Sequence, residues 1–165
     1  MTLYTLVATP IGELLLSGDE HALHRLWMQD GARPREPGRD WRRADAPFAA
    51  ARDQLEQYFA GERTVFDLSL VLGGTPFQQA VWAALREIPH GETTSYGALA
   101  RRLGAPDAAR AVGLANGRNP ISVIVPCHRV IGANGSLTGF GGGLERKRLL
   151  LELESPARPL IAQPA

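Results

Sequence analysis

Cys127 is the only cysteine in 165 residues, and it stands in the run Ile124-Val125-Pro126-Cys127-His128-Arg129-Val130. A lone thiol can neither close an intrachain disulfide nor join a multi-cysteine metal site. Two readings remain, a reactive nucleophile or a small apolar filler. His128 and Arg129 are groups of the kind that stabilise a thiolate, whereas inert buried cysteines sit among apolar residues. A free thiol with a pKa of about 8.5 is only a few per cent ionised at neutral pH. Lowering that value to about 7 raises the thiolate fraction roughly tenfold, equivalent to about 2 kcal/mol of preferential stabilisation of the charged form. Neighbours on an extended strand point to opposite sides, so a Cys127–His128 relay requires a turn or a helical start here, and Pro126 agrees with that.

The elements that must carry this peptide are legible around it. Thr75-Pro76-Phe77-Gln78 is a helix start, with threonine at the N-cap, proline at the first helical position and glutamine three residues after the cap. Phe77, Ala80, Val81, Ala84, Leu85 and Ile88 then recur at helical spacing, as one apolar stripe, before Pro89 and Gly91. A second helix is predicted near 95–103, with Tyr96, Leu99, Ala100 and Leu103 on one face. A third is predicted from Asp107 to Gly117. Joined by Gly104-Ala105-Pro106, the last two have the dimensions of a helix-turn-helix. The third helix is built mostly of Ala and Gly apart from Arg110, so it is poorly equipped to read base edges, which takes several Gln, Asn, Arg or Lys side chains. Small side chains instead suit close packing or a narrow groove. A buried run, 121–125, leads to Cys127, and Gly-rich 139–143 forms a lip. Residues 144–154 make a final amphipathic helix, and the Pro-containing tail beyond is expected to fray.

Upstream, segments 3–8, 12–17 and 22–28 are separated by Thr9-Pro10 and Ser17-Gly18-Asp19 and read as an antiparallel meander. Residues 31–46 mix Arg33, Arg35, Arg39, Arg42 and Arg43 with Pro and Gly, which makes a loop, either a solvated linker or an arm touching phosphates. Asp45 is placed to cap a helix through Phe48, Leu55, Tyr58 and Phe59. Residues 65–72 alternate at period two, as a further strand would. Gly73-Gly74 marks the change of style, giving domains 1–73, an α/β unit with a small antiparallel sheet, and 74–165, a mainly helical unit.

Composition supplies limits. Hydrophobic residues at 44% and charged residues at 21% are an ordinary globular balance, enough to bury a core. A net charge of +1 argues against polyanion binding through total charge alone. All basic residues but Lys147 are arginine, a bias a GC-rich genome would also produce. The N-terminus has no basic region followed by an apolar stretch, so no signal peptide is expected, nor does any apolar run approach the roughly 20 residues of a membrane span. A cytoplasmic protein is therefore expected, a compartment that suits an unpaired reactive thiol.

Pro126-Cys127-His128-Arg129-Val130, preceded by Asn119-Pro120, Ser95-Tyr96 and Ala108-Ala109-Arg110-Ala111-Val112-Gly113, resembles the O6-alkylguanine-DNA alkyltransferases. The likeness covers residues 75–154 in detail, and four separated blocks fall in the family's order and spacing. It implies an N-terminal α/β domain and a C-terminal domain whose second helix-turn-helix helix lies in the minor groove of double-stranded DNA. It also implies irreversible, stoichiometric transfer of an alkyl group from O6-alkylguanine, less readily O4-alkylthymine, to Cys127. By the same likeness His128 is the base, acting through a water, Glu154 fixes its tautomer, and Asn119 fixes the turn bearing Cys127. Tyr96 helps rotate the nucleotide out and donates to the leaving base. Arg110 fills the gap in the duplex, with Ala108 and Ala109 against the DNA. Val130, Phe140 and Gly141 join Tyr96 in lining the base pocket, Phe140 standing where some relatives carry tyrosine. Extrusion is needed because the O6 substituent is hidden inside the stack.

A thioether is a poor leaving group and nothing in the chain looks able to remove the alkyl group, so one turnover per molecule is expected, with no cofactor. A structural zinc is not expected, since His21 and His24 stand without further cysteines or carboxylates. No membrane and no obligate protein partner are implied, and self-association on DNA is left open. Three other readings compete. A cysteine hydrolase would turn over through an acyl-enzyme; a non-reactive damage-binding relative would lack Cys127; a helix-turn-helix regulator would carry base-reading side chains and a dimer surface.

Overall fold

The computed structural model describes residues 1–29, 35–135 and 143–155, in two units: Met1–Gly74 with Pro120–Ile124, and Thr75–Asn119 with Val125–Ala165. In the first unit β1 (Leu3–Thr9), β2 (Gly12–Gly18) and β3 (Leu23–Met28) form the expected antiparallel meander. The order is β3-β2-β1-β4, and β4 (Arg42–Arg43) pairs parallel to β1, so the sheet is mixed rather than wholly antiparallel. Part of the expected arginine loop is thus a sheet edge, while residues 30–34 lie outside the described residues.

Alternation sends Leu14 and Leu16 to one face and Leu15 to the other, yet all three are buried. Helix α1 (Ala49–Phe59) covers the first face with Ala51, Leu55 and Tyr58. Trp27, opposite Leu15 in register, stacks on Trp41 at 5.8 Å over the second. Asp45 does not cap a helix through its side chain: a 3-10 turn, Ala46–Phe48, precedes α1, and the Asp45 carboxylate accepts from Thr5 Oγ1 at 2.5 Å instead. The alternating segment 65–72 is not a strand either. The side-chain amide of Gln54 takes both backbone groups of Asp67, at 2.8 and 2.9 Å, leaving a single bridge between Leu70 and Leu23. Pro120–Ile124, expected in the second domain, pairs with the edge of β3, where Leu26 N donates to Pro120 O at 2.9 Å.

The second unit is helical: α2 (Pro76–Leu85), α3 (Tyr96–Arg102), α4 (Ala109–Gly117) and α5 (Leu144–Glu154). The capping box is formed, with Thr75 and Gln78 bonding each other's backbone N–H. The regular helix stops at Leu85, and Ile88 follows in tighter i+3 turns. Phe77, expected in the buried stripe, is exposed; Trp82 takes the interior place, its indole N–H donating to Ala115 O of α4 at 2.9 Å. Helix α4 starts at Ala109 rather than Asp107. Its outer face carries Arg110, Ala111, Leu114 and Gly117, so the small-residue surface is interrupted by Leu114, 64% exposed. A two-rung parallel pair, β5 (Thr94–Ser95) with β6 (Val130–Ile131), ties the start of α3 to the peptide following Cys127.

Candidate active site

Between α4 and β6 the backbone makes two unusual turns. Val123 has φ of 73°, and Ile124 N bonds Ser122 O at 2.8 Å: a γ-turn centred on a β-branched residue, a conformation held under strain. Pro126, at φ −82° and ψ 66°, centres an inverse γ-turn in which Cys127 N donates to Val125 O at 2.8 Å. The same carbonyl accepts Asn119 Nδ2 at 2.7 Å. Cys127–Arg129 then form one 3-10 turn, so Cys127 and His128 do not diverge as strand neighbours would. Cys127 is 4% exposed and His128 is fully buried.

His128 Nε2 lies 2.7 Å from Glu154 Oε2 at the end of α5. An ionised carboxylate can only accept, so Nε2 carries the hydrogen and Nδ1 the lone pair. Glu154 is also gripped by Arg129, through Nε to Oε1 at 2.7 Å and Nη2 to Oε2 at 2.9 Å, while Arg129 Nη1 donates to Ile88 O at 2.6 Å. Burial alone would raise the Glu154 carboxyl, but hydrogen bonds from His128 and Arg129 outweigh it and hold the group far below the usual carboxylate range. Burial pushes the His128 imidazole below its ordinary value; the hydrogen bond and charge of Glu154 oppose this, and Arg129 and Lys147 reinforce it. A neutral imidazole facing an ionised carboxylate keeps a lone pair on Nδ1 with which it can accept a proton.

Lys147 is a second buried cation, its Nζ donating to Val130 O at 2.6 Å. Burial lowers its pKa, a fall that a negative charge on Cys127 would oppose. Tyr96, the first residue of α3, is held by the Ser95 N-cap, whose Oγ accepts from Ala98 N at 3.0 Å. The position a side chain would occupy at Gly113 is 3.6 Å from the Tyr96 ring, so α3 and α4 meet closely there. Asn116, on the inner face of α4, donates Nδ2 to Cys127 O at 3.3 Å.

The structure therefore links Cys127, His128, Glu154 and Asn119 in one network, and β5–β6 ties the start of α3, where Tyr96 stands, to Val130–Ile131. Arg110 stands exposed on α4, just beyond Ala108 and Ala109. Val130 is buried, and its carbonyl already serves Lys147. Phe140 and Gly141 fall outside the described residues. Sequence reasoning missed the double grip of Arg129 on Glu154 and the parts of Lys147 and Asn116; the one available signal was a single lysine among eighteen basic residues. His24, expected to lack carboxylate company, has Asp19 at 3.3 Å, and among the described residues no group of three ligand-type side chains assembles.

A buried cysteine on a 3-10 turn, backed by a His–Glu pair in a helical unit, is the arrangement of a protein that uses a thiol as nucleophile. Residues 76–156 match the 6-O-methylguanine DNA methyltransferase DNA binding domain, and residues 2–72 match the ribonuclease-like domain of the same family. The chain belongs to the 6-O-methylguanine DNA methyltransferase family. It is 57% identical to the methylated-DNA–protein-cysteine methyltransferase of Mycobacterium tuberculosis over 157 residues, 94% of each chain. With that of Methanosarcina acetivorans it shares 52% over 151 residues, 92% of this chain and 97% of the other. The crystal structure of M. tuberculosis OGT in complex with DNA superposes with a TM-score of 0.87 at 55% identity, covering 94% of this chain and 96% of that one.

Proposed function

We propose that the chain repairs DNA by direct reversal, as a methylated-DNA–protein-cysteine methyltransferase that acts once. The observation that carries the reading is the placement of the chain's only cysteine on the turn that also holds the His128–Glu154 pair. The proton of Cys127 passes through a water to His128 Nδ1, leaving a thiolate and an imidazolium whose charge Glu154 balances. Sulfur attacks the alkyl carbon opposite O6; the S–C bond forms as the C–O6 bond breaks, and the electron pair stays on the guanine. A proton then returns to the base, with the Tyr96 hydroxyl donating to its ring. In net terms the thiol hydrogen is exchanged for the alkyl group, guanine is restored, and the thioether stays on the protein. No further reagent enters this balance.

The partner is duplex DNA carrying O6-alkylguanine, and less readily O4-alkylthymine, turned out of the stack. Arg110 occupies the gap, with Ala108 and Ala109 allowing close approach. Val130, with Phe140 and Gly141, adjoins the extruded base. Asn119 keeps the turn at Cys127 in place. A thiol that must stay reduced until used suits a cytoplasmic setting, and among the described residues no helix is long and apolar enough to cross a membrane.

Intact-mass measurement after mixing with a duplex containing O6-methylguanine tests this. The expected gain is one CH2, mapped to Cys127 and absent from Cys127→Ser. Methyl gain by the serine variant, or repeated repair by an unmodified protein, would refute it.

A further inference from the structure

Asn116 is 1% exposed, on the inner face of a helix otherwise built of Ala, Gly, Val, Leu and one Arg. Burying an amide there costs stability unless both its ends are engaged. One end is: Nδ2 donates to Cys127 O at 3.3 Å. That contact fixes which way the amide points, because a carbonyl can pair only with the NH2 end. Oδ1 is thereby an acceptor, buried and without a hydrogen-bond partner among the described residues. His128 Nδ1 is in the same condition, and with Nε2–H given to Glu154 it too is an acceptor. The two orphans flank one peptide unit, since Asn116 bonds the Cys127 carbonyl and His128 is the residue across that bond.

We propose that Asn116 is a positioning residue for alkyl transfer: its Nδ2 clamps the Cys127 carbonyl, and its Oδ1, with His128 Nδ1, seats the proton-relay water. The inference rests on the function proposed above and adds a residue to it. Its chemistry balances. A water has two hydrogens for two acceptors and a lone pair for the thiol S–H, and buried waters with about three partners are well held. In the transfer the S–H proton goes to the water as a water proton goes to Nδ1. Afterwards the water accepts from Nδ1–H and gives one hydrogen to the thiolate and one to Asn116 Oδ1. Asn116 therefore takes no proton itself but keeps the relay aligned through both states. Because it belongs to α4, whose outer face carries Arg110, the same helix that presents the finger also holds the nucleophile's turn.

The test is the pH profile of methyl uptake from an O6-methylguanine duplex by Asn116→Leu, which keeps the branched shape and removes both amide ends. Since Cys127 is the only cysteine, its alkylation by iodoacetamide gives a second profile free of DNA. A relay role predicts that both midpoints rise by about one pH unit, with uptake at pH 7 reduced roughly tenfold and recovered in alkali. Asn116→Ala, which leaves room for a second water, should shift less, and it decides the matter if the leucine variant does not fold. Unchanged midpoints, with or without a uniform loss of rate, overturn the proposal. Wild-type protein that takes up no methyl would instead sink the function on which it rests.

Discussion

Glu154 accepts three charge-assisted hydrogen bonds, two from Arg129 and one from His128, in a buried setting. Removing one member of such a buried set leaves an uncompensated charge, which costs about 3–5 kcal/mol. Glu154→Gln is therefore expected to lose stability of that order in urea melts near neutral pH, and to slow methyl uptake. The folded carboxyl sits below its ordinary 4.5, so the stabilisation is full above about pH 4.5 and is lost as pH falls further into acid. His128 adds a second dependence. Its folded pKa lies below the ordinary 6.5, so below 6.5 the unfolded chain takes the proton first and stability falls. Melting temperatures taken from about pH 7.5 to 5.5 should decline, and His128→Gln should flatten that slope. At this scale the sequence revealed Cys127 and His128 because they adjoin. Glu154 is harder to single out, standing two residues from Glu152 in a Leu-Glu repeat; the helix turns the two to different faces, Glu152 outward on Arg148 and Glu154 inward. Arg129 looked like a cation for the thiol, and only folding shows its guanidinium committed to Glu154 and Ile88.

Elements position these residues through their ends rather than their middles. Tyr96 follows a Ser N-cap, Glu154 closes α5, and Cys127 follows an inverse γ-turn. The start of α2 is the clearest such end, and it lies away from the reacting atoms. Thr75→Ala should destabilise the protein by about 1 kcal/mol, read by denaturant midpoint, while methyl uptake per folded molecule stays unchanged. Caps and turns are legible where their chemistry is local, as at Thr75, Gln78, Pro76 and Gly104, and not at Asp45, whose carboxylate is taken by Thr5 from forty residues away. Segment 65–72 was misread because its pattern was right for a strand while its hydrogen bonds were diverted. Gln54, in another element, took the Asp67 backbone, and no window of sequence around 65–72 contains that fact. The same holds for Pro120–Ile124, claimed by the edge of β3.

At the level of the whole molecule, the strand-bearing unit runs to Gly74 and takes in 120–124 as well, an interruption that no local change of pattern announces. The helical unit carries every group that the proposed reaction uses among the described residues. Duplex recognition and bond making should therefore separate by mutation within it. Arg110→Ala is expected to slow transfer from duplex DNA much more than reaction with free O6-benzylguanine, as measured by single-turnover assays; equal losses would assign Arg110 a role in the chemistry or the fold instead.

The sole lysine of the chain is sealed beneath the Val130 carbonyl. Reagents that acylate exposed amines consequently find no lysine target on the folded surface. Any tag they leave on Lys147 registers a molecule whose last helix had lifted away, so slow amine labelling becomes a clock for the parting of α5 from Val130.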